Sequence, residues 1–303
     1  NWDGTHFINI ANNGYLSLQD YAFFPLYPLF VKIIAFFFRN FYFSAVLINV
    51  VAVFFSIKFL FKLVNLEFNK KIAKKTYFYL LIFPTSFYLF MAYSEGLFLL
   101  FAVLTFYFLK KEKFFLSLLF VGLASLTRFV GIALAFTFIY KVLNTYGKNK
   151  KSLIILLSFW GTALYCLYLF FHTGNPITFV VAENNWYRQL TAPWISIWYS
   201  IFYLSIPFFE TYKIYVWYEL FFTILGLGLV IRTFRFLPKH YFIYGAVSLL
   251  IPLLTGTLMS MPRFLILIFP IFIILALVKN KLVMNIYKIT SVILLIAFSV
   301  LFI

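Results

Sequence analysis

Only eight carboxylates occur in 303 residues, and one of them stands near the start, in Asn1-Trp2-Asp3-Gly4-Thr5-His6-Phe7. An acid, an aromatic ring and an imidazole here precede the first long apolar run. Asp3 has two compatible readings. It can cap a helix over Thr5 to Ala11, with His6 in the first turn, or act as a general base at a membrane surface, with Trp2 and His6 shaping the site. Glu95, in Tyr93-Ser94-Glu95-Gly96, lies between two apolar runs that offer it no polar neighbours. An ionisable group so placed is costly unless it meets water or a partner, so Glu95 belongs either to a solvated turn or to a site. Arg128 follows Thr127, and Arg263 follows Pro262. Each can snorkel to lipid headgroups. Beside an acid on one face they can instead bind an anion, since guanidinium matches phosphate oxygens in pairs.

Other chemistry is sparse. Trp186-Tyr187-Arg188 forms an aromatic and basic patch, and Thr173-Gly174-Asn175-Pro176 reads as a turn. Three dispersed histidines and one cysteine, Cys166 within an apolar run, argue against a metal site and exclude an internal disulfide. No phosphate-binding glycine loop or nucleophile elbow is present. His240, beside Lys239, reads as a residue facing headgroups.

The elements that must position these groups follow from composition. With 64% apolar and 11% charged residues, the chain lies outside soluble globular composition. An all-α, polytopic transmembrane bundle is expected, each crossing taking about 20 residues. Apolar runs fall at about 42–64, 76–92, 95–110, 152–171, 213–231, 241–258, 264–278 and 284–303, and 114–143 is divided into two short passes near Thr127-Arg128. That makes about ten spans. Residues 1–41, with prolines at 25 and 28, read as a first outer loop with interfacial helices. Residues 42–303 form the bundle, including an outer loop over 172–212 with a surface helix.

The net charge of +17 sits mostly in short clusters between apolar runs, which points to the positive-inside rule and away from nucleic acid. Placing Lys70 to Lys75 in the cytoplasm puts the clusters near 110, 145, 235 and 280 on the same side. The outer face then collects Asp3, His6, Glu95, Arg128, the 172–212 loop and Arg263. No internal repeat of the transporter kind is visible.

The blocks Trp2-Asp3 to His6-Phe7, Ala22-Phe23-Phe24-Pro25-Leu26-Tyr27-Pro28-Leu29, Ala92-Tyr93-Ser94-Glu95-Gly96, Leu126-Thr127-Arg128, Gly174-Asn175-Pro176, Trp186 with Arg188, and Pro262-Arg263-Phe264 occur in an order that resembles one family. It is the GPI mannosyltransferase 2 (PIG-V) type of polyprenyl-phosphate-sugar-dependent transferases, within the C-type membrane glycosyltransferases. The resemblance implies inverting transfer of mannose from a polyprenyl-phosphate donor to a lipid-linked or surface acceptor at the extracytoplasmic face. It makes Asp3 the base, with Glu95 orienting hydroxyls. Arg128, Arg263 and Arg188 would bind the donor phosphate, and Trp2, His6, Tyr93 and Trp186 would shape the site. No cofactor and no metal are expected, and a small membrane-protein partner stays open.

Two positions depart from that pattern: Asn175 stands where an acid is expected, and Gly96 where a larger residue is common. The resemblance also implies a further span ahead of Asn1. Richness in Lys, Asn, Ile and Phe suggests an AT-rich, prokaryotic source. The protein would then sit in the bacterial plasma membrane, or in the endoplasmic reticulum membrane if eukaryotic. A transporter or flippase for lipid-linked sugars is the alternative that the same polar face would serve.

Overall fold

In a computed structural model covering residues 2–147, 149–206 and 210–302, every regular element among the described residues is helical. The N-terminal layer consists of α1 (Trp2–Asn13) and α2 (Leu26–Phe38), followed by α3 (Phe41–Glu67) and α4 (Lys70–Leu81). Next come α5 (Glu95–Lys110), α6 (Phe114–Thr127), α7 (Ile132–Tyr146) and α8 (Trp160–Thr173). The stretch over 172–212 holds α9 (Thr178–Ala182) and α10 (Pro193–Ser205). The chain closes with α11 (Glu210–Phe236), α12 (Lys239–Leu253), α13 (Met261–Leu267), α14 (Pro270–Leu277) and α15 (Lys281–Phe302).

Local chemistry explains where these helices begin and end. Asn40 and Asn69 cap α3 and α4, their side-chain oxygens accepting from Phe43 N and Ile72 N at 2.9 and 3.0 Å. The expected run 76–92 is not one helix. It stops at Leu81, shortly before Pro84, and crosses to α5 through a short 3-10 turn at Ser86–Leu89, because the residue ahead of a proline is pushed out of helical geometry. The run 264–278 is likewise divided at Ile268 and Phe269, ahead of Pro270. The divide near Thr127-Arg128 is as expected: Arg128 is extended (φ −155°, ψ 145°) and the chain restarts at Phe129.

Among the described residues, five helical stretches are long and apolar enough to cross a membrane, at Phe41–Glu67, Phe129–Tyr146, Lys150–Thr173, Lys213–Phe236 and Lys281–Leu301. The remaining expected crossings are shorter or broken helices. Large apolar side chains cover the outside of the bundle, among them Phe171, Ile293 and Ile296. That outer surface is what a lipid solvent requires.

α5 is the central strut, packed between α3 and α6 and buried along most of its length. α6 and α8 cross so closely that a Cβ on Gly161 would collide with the Gly122 backbone. Gly96 is similarly committed: a Cβ there would lie 2.7 Å from Leu89 O and 2.8 Å from Asn49 Oδ1. The small residue at 96 is therefore coupled to Asn49, whose amide donates to Tyr93 O at 2.6 Å and also to Met91 O. Replacing Gly96 by Ala displaces Asn49, and overpacking of this kind costs about 1–3 kcal/mol. A fall in thermal midpoint in detergent is the expected result, reversed only in small part by adding Asn49→Ala because the contact with Leu89 O remains.

Candidate active site

α1 delivers Asp3 to the N-terminal end of α5. Asp3 lies inside the first turn of α1 rather than ahead of it, and its Oδ2 pairs with Arg263 Nη1 at 2.5 Å. The carboxylate thus answers a guanidinium 260 residues away instead of capping its own helix. Glu95, the first residue of α5, is fully buried at 0% exposure, which removes the solvated-turn reading. Its Oε1 accepts from Arg128 Nη1 at 2.7 Å and from Arg263 Nε. Arg128 Nη1 also donates to Ser94 Oγ at 2.9 Å. Asp3, Arg263, Glu95 and Arg128 therefore form one continuous ionic chain.

Aromatic faces hold the arginines in place. The Arg263 guanidinium lies 4.5 Å from the Tyr93 ring centroid and 5.3 Å from that of Tyr88. Phe264 is faced by Arg128 at 5.8 Å and by Arg188 at 5.6 Å. Arg188 is anchored separately, to Glu183 Oε2 and Met259 O, each at 3.2 Å. Burial by itself would raise the pKa of Asp3. The contact charge and hydrogen bond of Arg263, with Arg128 and Arg188 behind, outweigh it and hold the carboxyl below its ordinary value.

These groups stand at a cavity of about 1470 Å³. Asp3, Arg128, Arg188, Arg263, Tyr93 and Trp186 line it together with apolar side chains that include Phe136, Leu250, Ile251, Ile214, Leu294 and Phe298. The combination suits an amphiphile with a charged head and a long apolar tail. Glu95 is not among the lining residues. It lies behind Arg128 and Arg263, where it aligns guanidiniums rather than reaching hydroxyls in the cavity.

The other expected site residues divide. His6 stacks on Phe23 at 4.8 Å and meets Trp186 edge-on at 5.8 Å. Its Nδ1 is 3.1 Å from Asp20 Oδ1, so its carboxylate partner is Asp20 and not Asp3. The side chain of Trp2 lies outside the described residues. Asn175, where an acid was expected, makes a turn in which its Oδ1 accepts from Ile177 N at 3.0 Å.

Three working residues escaped the sequence reading. Asp20 accepts from Ser17 N at 2.9 Å and Ser17 Oγ at 2.8 Å. The spacing Ser17-Leu18-Gln19-Asp20 is a capping-box signature that could have revealed it. Asn49 was hidden in a long apolar helix. Glu219, an acid within an apolar run like Glu95, accepts from Ser260 N at 2.9 Å and Met261 N at 2.8 Å. Ser260 has φ of 68°, a left-handed conformation that needs such support, and Arg263 follows three residues later. Thr85 Oγ1 donates to Pro262 O at 2.9 Å and steadies the same segment. Glu219→Gln replaces one acceptor by an amide N–H donor facing another donor, costing about 1–3 kcal/mol in alignment of α13. The check is a double-mutant cycle on turnover: the loss should be large in the native background and small beside Arg263→Lys.

The fold and site define a class: an all-helical bundle with helices fit to cross a membrane, enclosing an ionic cluster that opens on an apolar-walled cavity. Within that class the chain belongs to the mannosyltransferase (PIG-V) family, whose model matches residues 1–276. It is similar to GPI mannosyltransferase 2 of Schizosaccharomyces pombe, with 30% identity over 198 residues. That alignment covers 54% of this chain and 41% of the relative, so the chain spans less than half the length of the curated protein it matches. No solved structure matches.

Proposed function

We propose that the chain transfers mannose, with inversion, from a polyprenyl-phosphate donor to a lipid-linked or surface acceptor at the extracytoplasmic face of a membrane. The observation that carries this reading is the ion pair of Asp3 with Arg263 at a cavity with apolar walls. The acceptor hydroxyl gives its proton to Asp3 Oδ as its oxygen bonds to C1 of the sugar. The C1–O bond to phosphate breaks on the opposite face, and polyprenyl phosphate leaves with the bonding pair. Arg128, Arg263 and Arg188 stabilise the charge that develops on that phosphate, the kind of prepositioned electrostatics that dominates many active sites. Glu95 keeps Arg128 and Arg263 in register. Residues 1–41 act as the outer loop that carries the base, and the short helices complete a ten-pass bundle with its basic ends in the cytoplasm.

The position of the cluster, at the end of α5 rather than midway along it, disfavours a flippase, whose charges would lie near the midplane. The test uses the purified protein with synthetic β-linked polyprenyl-phosphate mannose and a mixture of membrane glycolipids. An α-linked mannosyl product from this donor, with none from a nucleotide sugar, is expected. A β-linked product, or lipid movement across the bilayer without transfer, would sink the proposal.

A further inference from the structure

A second, smaller cavity lies at the other end of the bundle. α5 runs from Glu95 to Lys110, which at 1.5 Å per residue separates the two ends by about 24 Å. Around Lys110 the ends of α3, α7 and α12 meet at a space of about 170 Å³. This is room for a group the size of a phosphate, and far less than a sugar nucleotide needs.

The hydrogen-bonding inventory of this space is one-sided. Glu67 is the only carboxylate lining it, and its oxygens are occupied by Lys110 Nζ at 3.1 Å and by the Tyr241 hydroxyl at 3.3 Å. The side chains of Lys141, Lys239, Tyr140 and Asn144 line the same cavity and have no hydrogen-bond or ion-pair partner among the described residues. α12 starts here with Pro238 at its N-cap, which offers no side-chain acceptor; the Tyr241 amide donates to Pro238 O at 2.9 Å, and the amides of Lys239 and His240 ahead of it are uncapped at the rim. His240 is not the headgroup-facing surface residue expected from sequence. It is 9% exposed, stacked on Phe106 at 5.6 Å, lines the cavity, and its ring nitrogens have no partner among the described residues.

We infer that this cavity is a binding site for a phosphate group, taken from an anionic lipid headgroup or from free phosphate. Apart from the occupied Glu67, the groups that converge here are mostly donors without an acceptor from the protein, Lys239 and Asn144 at the exposed mouth and His240 on the buried wall, and a phosphate supplies acceptors alone. Three lysines against one glutamate leave two positive charges, enough to balance the one negative charge of a lipid phosphodiester or the nearly two of free phosphate. The positive-inside rule accounts for lysines at this end of the bundle. It does not account for a buried histidine, an amide, a phenol and an uncapped helix start converging with them, and a helix N-terminus is itself suited to an anion.

The experiment uses the full chain in phosphatidylcholine nanodiscs, titrated in one arm with phosphatidylglycerol and in the other with inorganic phosphate, bound ligand being counted by native mass spectrometry. Lys141→Gln with Lys239→Gln should weaken binding by about fivefold per lysine removed. The control is Lys70→Gln with Lys74→Gln, which removes the same charge outside the cavity and should change binding less than about twofold on the same scale. His240→Phe tests the buried wall without altering surface charge and should also weaken binding. Saturable phosphatidylglycerol binding that phosphate does not displace identifies a lipid headgroup, and saturable phosphate binding that responds to the same variants identifies the free ion. Equal loss from both lysine pairs, or no saturable binding in either arm, overturns the inference.

Discussion

Asp3→Asn lowers mannosyl transfer by about 10²–10⁴-fold, the range that a positioned general base supplies, while donor KM changes little because Arg128, Arg188 and Arg263 remain at the cavity. Asparagine keeps the shape of the side chain and leaves Arg263 its contact with Glu95, so loss of folding is not the expected cause. The pH dependence separates chemistry from structure. The folded-state pKa of Asp3 is lowered from 3.8, so its ionic contribution to stability is complete at neutral pH. It fades only as pH falls below that ordinary value toward the folded one. The kcat/KM of the unaltered protein, which reports the group in the free enzyme, should therefore hold steady on the acid side between about pH 7 and pH 5. A titration of kcat/KM near pH 6 that vanished in Asp3→Asn would contradict the lowered pKa of the free carboxyl. Full activity in Asp3→Asn would end the assignment of the base.

Glu95→Gln produces the largest loss of stability. The carboxylate is fully buried between two guanidiniums, and removing one partner of a buried ion pair costs about 3–5 kcal/mol because the other charge is left uncompensated. The measurement is the thermal midpoint in detergent, followed by turnover at a temperature where the variant is folded. Turnover remains low there, since Arg128 and Arg263 have lost their common anchor. Removing one orphaned charge as well, in Glu95→Gln with Arg128→Met, restores part of the midpoint but none of the turnover. A midpoint equal to that of the native chain in Glu95→Gln alone would show that Glu95 does not hold the pair.

Much of this site was legible because the chain is so poor in charge. In an apolar sequence an isolated Glu95, Arg128 or Arg263 has few places to go, and grouping the basic clusters on one side left these residues, with Asp3, on the other. Their convergence in one ionic chain follows from that scarcity. The hidden part consists of contacts that depend on three-dimensional register. Neither Asn49, holding Tyr93 O from an apolar helix, nor Glu219, holding the start of α13, lies near its partner in sequence. The carboxylate partner of His6 was hidden for a related reason. The ring shares a helical face with Asp3, three residues away, but the short turn at Ser17 brings Asp20 to its Nδ1. Helix existence was read well from apolar runs. Continuity was not, because Pro84 and Pro270 break runs whose composition suggests unbroken spans.

On the proposed function, the ionic chain also sets an order of events. With two carboxylates and two guanidiniums, Asp3, Glu95, Arg128 and Arg263 are electrically balanced while the cavity is empty, and Asp3 is then a weak base because Arg263 satisfies it. A phosphodiester donor arriving beside Arg263 and Arg128 would tip this balance by one negative charge and weaken the hold of Arg263 on Asp3, raising the affinity of the carboxylate for the acceptor's proton. The donor thereby strengthens the base that its own reaction requires. An acceptor that enters first would meet a carboxylate still engaged with arginine, so the donor would bind ahead of the acceptor.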